Sequence, residues 1–142
     1  MKRAPILCIL VFTFASGSCF AATQCTQTEA ISAESVVDYL DSWDNVYLFF
    51  KQYGHCYDAS IAEGANDKIQ LLWVNHWHDL PRMLQLTAQD PKFKAFIWQR
   101  AHDEDYPANE FAKTLNDAKT SCPKDGANFC QTFIGAAVGA KP

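Results

Sequence analysis

Chemistry-bearing side chains crowd into one stretch, Tyr53-Gly54-His55-Cys56-Tyr57-Asp58, followed by Glu63 and Asp67 four residues apart. A cysteine beside a histidine suggests a thiol nucleophile and its base. Adjacent side chains usually diverge, however, and a base acts only if its nitrogen reaches the sulfur. Cys56 is therefore read as half of a disulfide, and His55 as a loop or surface histidine. On a helix, Glu63 and Asp67 share one face and repel each other unless a cation lies opposite. Such a pair suits a solvated helix surface. Its sharper use is a recognition face for a basic protein partner, with His55 beside it, Asp58 at the helix start and Tyr57 as an aromatic anchor. Two carboxylates could also serve a glycosidase as acid and base, but no sugar-stacking cleft is legible beside them.

His76-x-His78 and His102-x-Glu104 carry zinc-type donors. Residues two apart on an α-helix point about 200° apart, so His76 and His78 cannot face one ion unless the helix ends between them. Asp79 hints at such an end. There is no H-E-x-x-H or cysteine-rich ligand spacing, no Gly-rich phosphate loop, no G-x-S-x-G elbow and no C-x-x-C pair, so neither a metal nor a cofactor is expected. Trp73, Trp77 and Trp98 are read as core before ligand platform.

The compartment constrains these choices. Lys2 and Arg3, the apolar run Ile6 to Phe14 and the small residues before Ala22 read as a secretory signal peptide, residues 1–21. Cleavage after Ala21 would leave 142 less 21, or 121, residues as a single domain, residues 22–142, with 10 basic against 16 acidic side chains and a formal charge of −6. A periplasmic or secreted location follows. A lipid anchor at Cys19 is the rival, disfavoured because Ser16 stands where lipoprotein signals carry an aliphatic residue. No later stretch approaches the ~20 apolar residues of a membrane span. Nucleic acid is not an expected partner, since no basic stripe is present. Cys25, Cys56, Cys122 and Cys130 remain, an even set in an oxidising place. Of three connectivities, Cys122–Cys130 across a short loop with Cys25–Cys56 is preferred. The rival joins Cys56 to Cys122 or Cys130.

The elements that must position these residues read as helices. Val36, Leu40, Trp43, Tyr47 and Phe50 line one face of a helix from Ser32 to Tyr53, unless the Asp41-Ser42 pair caps a second helix and splits it. A helix from Asp58 or Ser60 to about Trp77 would bury Ile61, Ala65, Ile69, Leu72 and His76. Asp79 with Pro81, Asp90-Pro91 and Pro107 each mark a further start. The last helix begins near Ala127 with Phe129, Phe133, Ile134 and Ala137 on it. The fold expected is all-α, a compact bundle of five to seven helices clipped by two disulfides.

Gly54-His55-Cys56-Tyr57-Asp58-x-x-Ile61-Ala62-Glu63-Gly64 resembles an element of short exported proteobacterial proteins without assigned activity, the likeness running from about Ser42 to Ala95. More loosely, signal peptide, acidic helical domain and few cysteines together look like periplasmic immunity proteins that neutralise cell-wall-degrading toxins of type VI secretion. That second likeness is one of class features and transfers no binding residue. The function expected is an exported, non-enzymatic binding protein, acting as an inhibitor or immunity protein through an acidic face. The alternatives are a small envelope hydrolase using His55 with Asp58 or Glu63, and a carrier of apolar ligands.

Overall fold

The computed structural model describes residues 24–101 and 106–139, with side chains to residue 135. The signal segment, Cys8, Cys19 and the His102-x-Glu104 pair lie outside the described residues. The chain forms α1 (Gln27–Val37), α2 (Trp43–Tyr53), α3 (Ala59–Asn75), α4 (Leu80–Gln89), α5 (Pro91–Arg100), α6 (Ala108–Thr120) and α7 (Ala127–Gly139), with short 3-10 turns at Gly54–Cys56, Trp77–Asp79 and Lys124–Gly126. The all-α expectation holds.

Polar side chains set most helix starts. Thr26 and Glu29 form a capping box ahead of α1, each closing the other's free amide. The helix expected from Ser32 thus begins earlier, and it ends earlier too. At the Asp41-Ser42 pair the backbone leaves helical geometry, Ser42 Oγ accepts from Asn45 N at 3.3 Å, and Asn45 Nδ2 donates to Tyr39 O and Asp41 Oδ1 at 3.0 and 2.8 Å. Those local bonds replace the broken ladder and split the segment in two. Asp58 caps α3, whereas Ser60 donates to Glu34 on α1 at 3.3 Å. Asp90 accepts from Lys92 N and Phe93 N, and Pro91 opens α5.

Trp73 is fully buried on α3 and gathers the aromatic core. Its ring lies 5.9 Å from Trp43, 5.8 Å from Phe129 and 5.2 Å from Phe133, and it stacks on Tyr106 at 6.5 Å. A second aromatic group, Phe50, Tyr57, Phe93 and Phe96, joins α2 to α5. At about 1.5–3 kcal/mol for each large apolar side chain buried, these rings supply much of the driving force. The helix interface α1–α3 is close at Gly64, where a Cβ would stand 2.9 Å from Val37 Cγ1.

One expectation fails within α3. His76 is not on its buried face: α3 stops at Asn75, His76 caps it in non-helical geometry, and its side chain is 48 % exposed. Trp73 and Trp77 fill the inward places instead.

Cys25 pairs with Cys56 and Cys122 with Cys130, the preferred connectivity. The first ties the lead-in of α1 to the turn after α2, across 31 residues, and the second spans eight. Among the described residues no helix is long and apolar enough to cross a membrane.

Candidate functional site

The Cys25–Cys56 bridge puts the sulfur of Cys56 in a bond and the lead-in of α1 beside His55. His55 Nε2 stands 3.4 Å from Glu29 Oε1. The other oxygen of Glu29 accepts from Thr26 N at 2.9 Å and Thr26 Oγ1 at 2.7 Å. These Thr26 bonds chiefly, with His55 adding a smaller share, hold the Glu29 carboxyl below its ordinary pKa. Neither Asp58 nor Glu63 comes within ion-pair distance of His55 among the described contacts, so the acid–base pairs written from the sequence are replaced by His55–Glu29. Glu29, His55 and Cys56 bring three donor types together, but a disulfide sulfur is not a thiolate ligand, which leaves two.

Tyr57 turns inward. Its ring is edge-on to Phe96 at 5.0 Å and Phe49 at 6.4 Å, and the Arg100 guanidinium lies 4.0 Å from its centroid. Its hydroxyl donates to Asn66 and accepts from Arg100 Nε at 2.8 Å. Arg100 itself is buried, also covering the Phe96 ring at 3.5 Å. Tyr57 is thus a structural pin between α3 and α5 rather than a surface anchor. Asp58 is exposed and committed to its cap, accepting from Ala59 N at 2.8 Å. Glu63 and Asp67 stand exposed on α3.

Charge divides along the chain. Residues 24–75 carry eight carboxylates against Lys51 and Lys68, a net −6, whereas residues 76–142 carry eight against eight. Both cations of the first half are engaged: Lys51 with Asp90 at 3.1 Å and Lys68 with Asp38 at 3.8 Å. Among the described residues the four large hydrophobic side chains left exposed, Ile31, Tyr39, Leu48 and Leu71, all belong to that same half.

Two of them border a groove of about 270 Å³ between the end of α1 and the outer side of α2. Tyr39 and Leu48, 69 % and 62 % exposed, face Val36, Phe49 and Tyr53 across it. Neither stood out in the sequence. The face expected for this helix runs through Trp43, Tyr47 and Phe50; Trp43 is buried, but Tyr47 and Phe50 are only partly so, and Val46 and Phe49 take the other inward places. Leu48 is left on the outer side, and Tyr39 sits in the turn created by the split.

The second half has a larger cleft, about 600 Å³, lined by Leu84, Trp98, Pro123 and Phe129 with Lys94 and Lys124 beside them. Trp98, expected in the core, is only half-buried there, edge-on to Phe129 at 4.7 Å with Lys94 Nζ 5.1 Å above its ring. Because α3 ends at Asn75, His76 and His78 both fall outside it. Their donor atoms and those of Asp79 all lie within 4.8 Å of one another.

No protein-family model matches the chain, and neither a curated protein nor a solved structure matches it.

Proposed function

We propose that this is an exported, non-enzymatic binding protein that engages a basic protein partner through its acidic α1–α3 half, with the Tyr39–Leu48 groove receiving an apolar side chain. Segregation of the negative balance into the half that, among the described residues, also carries all four exposed large hydrophobic side chains is the observation that carries this reading. Buried apolar anchors give an interface most of its affinity, and charge around them gives on-rate and orientation. A partner with a basic rim around one protruding apolar residue fits both features. The two disulfides and the absence of a membrane-crossing helix among the described residues are compatible with an extracellular or periplasmic setting. Inhibition of a basic enzyme, including an immunity role, is one form this binding can take.

The test is capture from envelope extract by the wild type, by Leu48→Asp and by Glu63→Lys/Asp67→Lys. A retained protein that is lost with Leu48→Asp, and weakened by the charge reversal or by salt, supports the reading. Retention unaffected by either variant refutes it.

A carrier role is the second reading, favoured by the Trp98 cleft. Apolar walls with Lys94 and Lys124 at the rim suit a ligand with an apolar body and an anionic group. Native mass spectrometry of gently purified protein would detect such a ligand, and Trp98→Ala would lose it.

A further inference from the structure

We propose that the turn His76-Trp77-His78-Asp79 is a binding site for a late first-row divalent cation, with zinc as the reference ion. In a continuous helix the two imidazoles would diverge, but the 3-10 turn Trp77–Asp79 redirects the chain after α3. Trp77 and Leu80, three apart, are both buried and hold the turn against the core. The Trp77 indole N–H donates to Ser121 O at 3.1 Å, fastening the turn to the end of α6. With those two side chains turned in, His76, His78 and Asp79 are left outside, 48 %, 75 % and 51 % exposed.

The geometry is near that of a coordination sphere. His76 Nδ1 lies 3.8 Å from Asp79 Oδ2, and His78 Nε2 lies 3.5 Å from Asp79 Oδ1. Donors bonded tetrahedrally to zinc at ordinary bond lengths stand about 3.3 Å apart. The imidazole centroids are 5.9 Å apart and all three side chains are exposed, which leaves the donors free to rotate toward a shared ion. The donor set determines the ion class. Two imidazoles and a carboxylate select zinc, copper, nickel or cobalt, whereas calcium and magnesium require oxygen cages. Three protein donors leave a fourth position open to solvent or to a group from another molecule. That exposure sets an expected affinity weaker than that of a closed four-ligand structural site.

The experiment is calorimetric titration of zinc sulfate into the chain carrying no polyhistidine tag, with magnesium sulfate as the comparison ion. One zinc per chain is expected, with no saturable binding of magnesium. His78→Ala and Asp79→Asn should each weaken zinc at least about tenfold, since even loss of an outer-sphere partner typically costs that much. Both positions are exposed, so the thermal midpoint without zinc should stay unchanged and separate ligation from folding. His55→Ala should bind as the wild type does. Absence of saturable zinc binding, or wild-type affinity in both turn variants, overturns the site. Loss of binding in His55→Ala with retention in His78→Ala overturns it equally, by moving the ion to the Glu29–His55 corner.

Discussion

The two halves of this chain share one aromatic core but have different surfaces. In α1–α3 the carboxylates outnumber the cations eight to two, and Ile31, Tyr39, Leu48 and Leu71 stay in solvent. In α4–α7 the charges balance, and no large hydrophobic residue is exposed among the described positions. Self-repulsion in the first half is a standing cost that packing does not require. In the binding role proposed above, this difference would make the first half the surface that meets a partner and the second half the body that supports it.

The division would break down if the halves fold independently. Trp73 links them by touching Trp43 on α2 and both Phe129 and Phe133 on α7. Trp73→Ala is expected to cost about 3–5 kcal/mol, and denaturant unfolding should remain a single transition for circular dichroism and fluorescence alike. Two resolved transitions would mean two cores. Removing each bridge sharpens the same comparison. By loop entropy, Cys25→Ala/Cys56→Ala should cost about 3.5 kcal/mol and Cys122→Ala/Cys130→Ala about 2.5 kcal/mol. Hydrogen exchange should show the first loss of protection in α1 for one pair and at the α6–α7 junction for the other. The reverse ranking would place more of the stability in the neutral half.

A smaller effect tests the junction between the His55 corner and α3. Ala59 opens α3 at φ 47°, a left-handed conformation that strains an alanine. Ala59→Gly should therefore stabilise the protein by about 1 kcal/mol, measured as a higher denaturant midpoint at unchanged slope. A loss of stability would show that α3 does not begin in that conformation in solution.

Much of this architecture was written in local signals, and much of the recognition surface was not. Asp58, Asp90-Pro91 and Pro107 mark helix starts because caps and proline act within one turn, and the short loop between Cys122 and Cys130 favours the pairing that is found over its rival. The Thr26-x-x-Glu29 box is an equally local signal, but it stands ahead of the regular apolar spacing, which begins only at Val36. Which side of α2 faces solvent depends on how α3 and α4 approach it, so exposure of Leu48 left no mark in the residues around it. Tyr57 illustrates the same limit. Its role is set by Arg100, 43 residues away, and no spacing rule connects the two.

The smallest effect is in acid, where the α1 cap and the ion pairs between the halves should separate by pH. Glu29 is held below its ordinary value of 4.5 by Thr26 first and His55 after it. A carboxyl whose folded pKa is depressed contributes stability that is fully present above its unfolded value and is lost as pH falls through the folded one. The α1 cap should therefore begin to weaken below about pH 4.5, and in Glu29→Gln that step should be absent. Asp44 and Asp90 are likewise lowered from 3.8, chiefly by hydrogen bonds from Arg82 and Lys51. Those two carboxylates join α2 to α4 and to the head of α5, so their contribution should begin to fall only below about pH 3.8, loosening the contact between the halves. Hydrogen exchange at descending pH distinguishes the order: α1 amides should lose protection before those of α2 and α5. Simultaneous loss would mean that the α1 cap and the ion pairs between the halves respond to acid as one unit.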